Sequence, residues 1–402
     1  MLIKVGLIID GTGSLPIHNG CIAVEHNTII ACGKISDFAA SEVEQAVDYS
    51  AYTILPGLID CHVHLFLEGI SDETVREQRW KEPREITLLR ARENLNRTLN
   101  KGVTTIRDLG GPYNISSILR QAVNKKMFAG PRILTCNQAI SITGGHFHYA
   151  GGREADGPSE VIKAVREQIK AHADCIKVML TGMVNFQTEK SGAVEFSVEE
   201  TQAAVTEARR FNRQVSVHAN GIQGVRQALA AGVHTIEHGA LLDEATTDLL
   251  SHSQTYWSPT LTPFLQMLNY SKEHVSRTLP QSGLERVYIQ HCQAVKRGIA
   301  AGARIIVGTD AGALGVQHGD LWQELALFVD LGMPPLEAIA AATSLAAKVL
   351  DISDHTGTIA VGKAADMIVI QGNPLKNMQY LQNIIQVYKA GVGIRQSQLE
   401  LQ

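Results

Sequence analysis

The 402-residue chain lacks the features that mark membrane-bound and nucleic-acid-binding proteins. No apolar run reaches the roughly 18 residues that a transmembrane helix needs, and the longest candidate, residues 338–350, is interrupted by Thr343, Ser344 and Lys348. The opening MLIKVGLIIDGTG does not follow the pattern of a signal peptide and is typical of a strand that ends in a turn. A formal net charge of −4 gives no reason to expect a nucleic-acid or anionic-membrane partner. We therefore expect a soluble globular protein.

The chain also lacks a CxxC pair. Its six cysteines are scattered, and several lie in apolar runs, at Cys21, Cys32, Cys61, Cys136, Cys175 and Cys292. This pattern predicts buried free thiols in a reducing cytosol rather than disulfides, so we expect a cytoplasmic protein. Cys61 lies beside His62, but on a strand it points away from the face that His62 and His64 share. It is therefore not expected to be a metal ligand.

Strands alternate with helices through the middle of the chain, which predicts parallel βαβ units and an α/β fold. The glycine-rich GxGxxG turn of dinucleotide-binding folds is absent between strand and helix. Polar residues end many successive strands, which favours a closed (β/α)8 TIM barrel over an open sheet. We predict this barrel over residues 57–357. The β-rich ends, 1–56 and 358–402, are expected to form one small discontinuous β-sandwich domain.

Five separated fragments carry potential metal ligands at or just past the ends of short apolar runs. They are His62 and His64 in PGLIDCHVHL, Lys177 in DCIKVMLTG, His218 in QVSVHANG, His238 in HTIEHGA, and Asp310 in IIVGTDAG. Residues two apart on a strand point to the same side, so HxH aims two imidazoles at one ion. Imidazole and carboxylate groups suit zinc and its neighbours. A set delivered from successive strand ends is how a barrel enzyme assembles its active site.

Lys177 and Asp310 each allow two interpretations. A protonated lysine cannot bind a metal, but a desolvated neutral amine can react with carbon dioxide to give a carbamate that bridges two cations. The alternative for Lys177 is a salt bridge at a strand end. Asp310 either binds backbone N–H groups at the top of the barrel or ligates a metal and accepts a proton from water. The surrounding ligands favour the functional interpretation of both residues.

Three further residues are candidates for substrate contact. His146 follows Gly144-Gly145 in the loop SITGGHFHYAGG, which belongs to the expected active face of the barrel. Tyr256 in TYWSPTL and His318 in GVQHGD also fall on predicted loops after strands, and each is balanced between a packing role and a substrate contact.

The chain resembles the amidohydrolase superfamily over essentially its whole length, and within it the branch of Xaa-Pro and Xaa-Arg dipeptidases and carboxypeptidases related to imidazolonepropionase. The matching segments are PGLIDCHVH, GVTTIRDLGG, the TGGH loop, IKVMLTG, VSVHANG, TIEHGA, SPTL and GTDAG. The resemblance implies that His62 and His64 bind one metal and that His218 and His238 bind the other. It further implies a carbamate on Lys177 as the bridge, Asp310 as ligand and base, and His146 and Tyr256 as substrate contacts.

These observations predict a hydrolase with two divalent metal ions, zinc being expected, that cleaves an amide or peptide-like C–N bond through a hydroxide shared by the metals. The expected substrate is a dipeptide or an N-acyl amino acid. A carbamate, urea, ester or cyclic amide is the alternative within hydrolases. A deaminase with a single metal and a non-catalytic scaffold homologue remain the rivals from other classes. The resemblance also makes a homo-oligomer possible, because homo-oligomers are frequent in that superfamily, but the sequence shows no interface signature.

Overall fold

The structure is a computed structural model that describes residues 1–274 and 279–394. Its strands are β1 (Leu2–Ile8), β2 (Ile17–Glu25), β3 (Thr28–Lys34), β4 (Val47–Pro56), β5 (Leu58–Val63), β6 (Val103–Asp108), β7 (Arg132–Thr135), β8 (Ile140–Ser141), β9 (Arg153–Glu154), β10 (Cys175–Met179), β11 (Gln214–Ala219), β12 (Thr235–His238), β13 (Tyr256–Ser258), β14 (Met367–Ile370), β15 (Ile384–Lys389) and β16 (Val392–Ile394).

The helices lie mainly between the strands of the central part. They are α1 (Ala40–Glu44), α2 (Glu73–Trp80), α3 (Arg84–Asn100), α4 (Ile115–Asn124), α5 (Gly157–Lys170), α6 (Val198–Arg210), α7 (Gly221–Ala231), α8 (Glu244–Ser251), α9 (Leu261–Glu273), α10 (Gln281–Ala300), α11 (Trp322–Asp330), α12 (Pro335–Ala341) and α13 (Ser344–Val349). Short 3-10 helices cover Ile35–Asp37, Pro112–Asn114, His148–Ala150 and Met378–Gln382. Within the described ranges, no helix combines the length and the apolar character needed to cross a membrane.

A parallel barrel occupies the middle of the chain, as the alternation of strands and helices predicts. Strand β5 pairs with β6 and β6 with β7, while β10, β11, β12 and β13 pair in that order. The amide of Asp174 donates to the carbonyl of Thr135 at 2.8 Å and so joins β7 to β10. The barrel core is made of buried aliphatic side chains from the strands and from the helices that surround them.

The eighth side of the barrel is not a regular strand. Residues 304–311 form isolated parallel bridges, Trp257 with Ile305 and Val63 with Ala311, rather than a continuous ladder. The interruption lies at Gly308, where a side chain is excluded because an added Cβ would lie 2.4 Å from Ser258 Oγ and 2.7 Å from His62 Cβ. The close approach brings this segment against the HxH strand and closes the barrel.

Both ends of the chain contribute to one seven-stranded sheet, in the order β16-β15-β14-β4-β1-β2-β3. Successive residues of β4 face two different cores: Ile54 packs within the sheet domain and Leu55 packs against the barrel. Strand β14 repeats this pattern with Val369 and Ile370. The sheet encloses its own core like a sandwich and covers the barrel with its other face, because alternate side chains of a strand point to opposite sides.

The predicted domain limits fall close to the limits of these layers. Strand β4 ends at Pro56 and barrel strand β5 begins at Leu58, while the sheet strands from the C-terminal part lie within residues 367–394. The limits at residues 56 and 358 remain a prediction. Residues 395–402, which the sequence assigns to the small domain, lie outside the described residues.

A local signal in the sequence accounts for the start of helix α6. Ser197 and Glu200 form a capping box: the Ser197 hydroxyl accepts from the Glu200 amide, and the Glu200 carboxylate accepts from the Ser197 amide at 2.7 Å. These bonds satisfy amides that the first turn of α6 leaves without helical partners. The cysteines are free thiols, as predicted, and Cys61 is buried against Ile59 and Ile306.

Candidate metal centre and active site

A single cavity at the carboxyl ends of the barrel strands is lined by seven of the residues singled out from the sequence. They are His62, His64, His146, Lys177, His218, His238 and Asp310. His238 is the last residue of β12 and His218 the penultimate residue of β11, whereas His62 and Lys177 lie inside β5 and β10. Strand periodicity explains the convergence, because each of these side chains points to the inner side of the barrel.

The HxH pair and Asp310 form the tightest donor group in the described part of the chain. Their ligand atoms lie within 4.8 Å of one another. Asp310 Oδ1 is 3.3 Å from His64 Nε2 and 3.5 Å from His62 Nε2. The amide of Asp310 donates to the carbonyl of His62 at 2.8 Å, which fixes the carboxylate beside the two rings. Two imidazole nitrogens and one carboxylate oxygen suit a divalent metal ion.

His218 and His238 lie on the adjoining side of the cavity. Their ring centroids are 4.5 Å apart, and the ring of His238 is 5.2 Å from that of His62. Lys177 lines the same cavity. The arrangement therefore consists of the HxH group with Asp310, a second histidine pair and a lysine in one small volume.

The buried ion pair between Arg107 and Glu237 orients the ring of His62. His62 Nδ1 donates to Glu237 Oε2 at 2.9 Å, and the Arg107 guanidinium is 2.9 Å from Glu237 Oε1. Arg107 also donates to the carbonyl of Cys61 at 2.7 Å and to Ser216 Oγ at 2.9 Å. Because Nδ1 carries the proton in this arrangement, the lone pair of His62 Nε2 faces the cavity, as a metal ligand requires.

Two other rings are oriented in the same way. His64 Nδ1 donates to the carbonyl of Gly110 at 2.8 Å, and His238 Nδ1 lies 2.7 Å from Thr260 Oγ1. Each contact fixes Nδ1 of its ring, which leaves Nε2 of the same ring as the nitrogen available to a metal ion.

Burial keeps the imidazoles neutral, which is the form that binds metals. Loss of hydration is the largest cause, followed by the charge of Lys177, and together they lower the pKa of His62 to about 4. The pKa is lowered by burial in the same direction for the other imidazoles of the cavity, His64, His146, His218 and His238.

Lys177 and Asp310 also have pKa values that are shifted in the direction that favours their neutral forms. Burial lowers the pKa of Lys177 to about 8, against the opposing effect of Glu237. Burial raises the pKa of Asp310 to about 7, against the opposing charge of Lys177. Within the described residues, Lys177 Nζ is buried and accepts or donates no hydrogen bond, and His62 Nε2 is buried without one. Such buried polar atoms without partners fit a site that holds metal ions, because native interiors otherwise satisfy these groups.

Two of the ligand candidates have strained backbones. His238 has a φ of 68° and Asp310 a φ of 56°, in the left-handed region that residues with a Cβ seldom adopt. Such strain persists only where the surrounding structure imposes it, and it concentrates at functional sites. Here the turn after each strand directs the side chain back over the cavity.

His146 reaches the same cavity from the glycine-rich loop. Its ring centroid is 4.4 Å from that of His218. Its amide donates to both carboxylate oxygens of Glu195, at 2.8 and 3.0 Å, and a Cβ added at Gly145 would lie 2.6 Å from Glu195. The second glycine of this loop therefore allows the carboxylate to approach and hold the backbone of His146.

The structure does not bring Tyr256 to the cavity, contrary to the expected substrate contact. Tyr256 is the first residue of β13 and pairs with Thr235, the first residue of β12, so it lies at the amino end of the barrel. Its amide donates to the carbonyl of His234, and its ring packs against the Arg304 guanidinium. The sequence-based interpretation was wrong because it placed this tyrosine in a loop that follows a strand.

His318 is also separate from the residues that line the cavity. It is buried, and its Nε2 donates to the carbonyl of Leu67 at 2.8 Å. Leu67 lines the cavity, so His318 supports the loop after the HxH strand instead of meeting a substrate. His318 lies in a loop, as predicted, but its imidazole points into the protein and contacts the backbone of Leu67.

Sequence reasoning missed Arg107 and Glu237. Both were visible as charged residues inside apolar strands, in VTTIRDL and HTIEHG. A charged residue in a buried strand needs a partner, but nothing in the order of the residues shows that these two meet across the barrel.

Several known proteins resemble this chain over most of its length. The profile described as the amidohydrolase family matches residues 53–393. Ochratoxinase from Aspergillus niger is 29% identical, over 97% of this chain and 85% of the relative. Imidazolonepropionase from Agrobacterium fabrum is 26% identical, over 90% of this chain and 85% of the relative. A crystal structure of a Xaa-Pro dipeptidase with methionine bound in its active site superimposes with a TM-score of 0.87 at 33% identity, covering 98% of this chain and 99% of that one.

The contact between His62 and Glu237 leads to a testable expectation. Replacing Glu237 with glutamine keeps the volume but leaves the buried charge of Arg107 without its partner, so the free energy of unfolding should fall by about 3–5 kcal/mol. Because the orientation of the His62 ring is weakened as well, metal affinity should fall by about 10–100-fold. Urea denaturation and metal titration measure the two effects. Glu25→Gln, at an exposed site on β2, is the control. Unchanged metal affinity in Glu237→Gln would contradict the positioning of His62.

Proposed function

The chain belongs to the amidohydrolase family, and from that membership we propose that it hydrolyses the amide bond of a dipeptide or an N-acyl amino acid and releases the C-terminal amino acid. The observation that carries this proposal is the convergence of five histidines, Lys177 and Asp310 on one cavity at the carboxyl end of the barrel. Support for the substrate class comes from the relatives, one of which has the amino acid methionine in its active site.

In this proposal two divalent metal ions are held by the cavity, and zinc is the expected metal. His62, His64 and Asp310 would hold one ion, and His218 and His238 would hold the other. Lys177 would supply a shared ligand as the carbamate that its neutral amine forms with carbon dioxide, with release of one proton. When bound, the ions supply Lewis-acid polarisation of the scissile carbonyl and make water more acidic. The neutral state of the rings and the lowered pKa of Lys177 support these assignments.

Asp310 is assigned the proton transfer. Its carboxylate receives the proton of the attacking water and passes it to the amide nitrogen, while the bond from water oxygen to carbonyl carbon forms and the C–N bond breaks. Its raised pKa, caused by burial, suits a group that must both accept and release a proton near neutrality. We assign His146 to donate a hydrogen bond to the carbonyl oxygen of the substrate, because its neutral ring offers one N–H donor in the same cavity.

The first experiment is amino-acid release by the zinc-loaded protein from a panel of dipeptides and N-acyl amino acids. Release that depends on the identity of the C-terminal residue is the expected result and would define the pocket. Turnover confined to carbamates, ureas, esters or lactams would contradict the proposed substrate class and would leave the assignment of the metal ligands open to its own tests.

Replacing Asp310 with asparagine tests the proton transfer. The amide keeps the shape of the side chain but cannot take up a proton, so turnover should fall by at least about 10²–10⁴-fold, the usual contribution of a general base. Bound metal, measured by mass spectrometry, should remain because the histidines are unchanged. Substantial residual turnover in the metal-loaded variant would remove Asp310 from this role.

Replacing Lys177 with alanine tests the bridge. Without the long side chain the site loses its shared ligand, so the variant should hold less metal than the wild type. Short carboxylic acids such as acetate and propionate should restore part of the turnover by occupying the vacated position. Lys163→Ala, at an exposed site on α5, is the control. Wild-type metal content in Lys177→Ala would contradict a bridging role.

A further inference from the structure

Thr260 orients the candidate ligand His238 from an unfavourable backbone conformation. The threonine hydroxyl has a single proton, which it donates to the carbonyl of Pro259 at 2.7 Å. The hydroxyl therefore accepts the hydrogen bond from His238 Nδ1–H at 2.7 Å. Thr260 has a φ of 49°, in the left-handed region that a β-branched residue rarely adopts. A residue stays in such a conformation only where the surrounding groups hold it there.

Thr260 also stands at the N-cap position of helix α9, where its hydroxyl would ordinarily have a different task. A threonine at this position usually accepts a hydrogen bond from an amide of the first turn. The hydroxyl of Thr260 caps no amide, because it is engaged with His238 and Pro259. The first amides of α9, those of Leu261 and Thr262, therefore need an acceptor from elsewhere in the protein.

Glu324, from helix α11, supplies that acceptor. Its Oε1 accepts from the amide of Leu261 at 2.8 Å, and its Oε2 accepts from the amide of Thr262 at 2.8 Å and from the Thr262 hydroxyl at 2.6 Å. Glu324 is completely buried and is not among the described residues that line the cavity. A carboxylate at a helix N-terminus is favoured by these bonds and by the helix dipole. Glu324 thus fixes the two residues that follow Thr260.

A second buried side chain fixes the residue before Thr260. His291, from helix α10, donates from Nε2 to the carbonyl of Pro259 at 2.9 Å. Its ring also packs against Phe264 of α9, with 5.0 Å between the ring centroids. The strained threonine therefore lies between two positions that α10 and α11 hold in place.

The candidate ligands His62 and His238 are thus supported by carboxylates in two different ways. Glu237 accepts directly from His62 Nδ1. His238 Nδ1 instead donates to a neutral hydroxyl, and the carboxylate of Glu324 acts on the backbone that carries this hydroxyl. A change at Glu324 should therefore affect His238 and leave His62 oriented as before.

We propose that Glu324 is a positioning residue for the metal subsite formed by His218 and His238. By capping helix α9 in place of Thr260, Glu324 leaves the threonine hydroxyl free to hold the ring of His238 with Nε2 available to the metal ion. This inference rests on the proposed function only for the presence of a metal ion at that subsite. The orientation of His238 can be measured without metal and without turnover.

The first test records the imidazole N–H signals of the metal-free protein by nuclear magnetic resonance, after labelling its histidines with nitrogen-15. Glu324→Gln keeps the volume, but its amide has one acceptor oxygen instead of two, so the first turn of α9 loses part of its cap. The His238 Nδ1–H signal, identified by its absence in His238→Asn, should shift or be lost through exchange with water. The signals of His62 and His64 should stay unchanged.

Two further variants complete this test. Thr262→Val keeps the shape of the side chain and removes only the hydroxyl that donates to Glu324, so the His238 signal should change less than in Glu324→Gln. Glu337→Gln, at an exposed site on α12, is the matched control and should give the wild-type spectrum. If Glu324→Gln does not fold, Thr262→Val decides, and an unchanged His238 signal in that variant overturns the proposal.

Zinc titration by calorimetry is the second measurement. Glu324→Gln should weaken the binding of one zinc ion by about tenfold, as expected when the support of a metal-binding histidine is disturbed, and should leave the other ion bound as in the wild type. An unchanged His238 signal in a folded Glu324→Gln variant would overturn the proposal. Equal changes at His62 and His238 would overturn it as well, because they would indicate a general loss of structure.

These outcomes are separate from those of the proposed function. A wild-type protein that binds no zinc would contradict the proposed metal centre, whereas the spectra of the metal-free protein would still report whether Glu324 orients His238. A protein that binds two zinc ions but hydrolyses no dipeptide or N-acyl amino acid would contradict the proposed substrate class and leave the role of Glu324 to be decided by the two measurements above.

Discussion

The buried ion pair between Arg107 and Glu237 is the interaction on which the rest of the site depends. The two residues meet across the barrel at 2.9 Å, and both are almost completely shielded from water. Although burial alone raises it, the pKa of Glu237 is held well below its usual value, first by Arg107 and then by His62. A carboxylate that stays charged in the interior accepts a hydrogen bond from His62 Nδ1–H and thereby determines which nitrogen of that ring faces the cavity.

The metal centre combines several arrangements that are individually unfavourable. Neutral imidazoles are packed together, a lysine nitrogen is buried without a hydrogen bond in the described structure, and two candidate ligands, His238 and Asp310, have positive φ. Each arrangement costs free energy that the surrounding barrel and its covering sheet must offset. A bound divalent ion would make these same arrangements favourable, because it needs neutral nitrogens, deprotonated oxygens and side chains already aimed at one point.

Much of the fold and of the metal site was predictable from the sequence because both follow from strand periodicity. His62 and His64 share a face, Cys61 does not, and polar residues at successive strand ends meet at one end of a parallel barrel. The errors arose where periodicity gave no information. Tyr256 was assigned to the wrong end of its strand, His318 turns inward from a loop, and residues 304–311 form only isolated bridges, with Gly308 close against His62.

Alternation and short capping motifs act between near neighbours in the chain, so the barrel, the covering sheet made from both ends of the chain, and the residue types that can hold a metal are all predictable from the order of the residues. The folded chain is needed to see that Glu237 faces His62, that Arg107 pairs with Glu237, and that Arg76 and Trp80 line the same apolar cavity. These contacts join residues up to 175 positions apart. Their geometry follows from how the barrel closes and its loops pack, which no local pattern encodes.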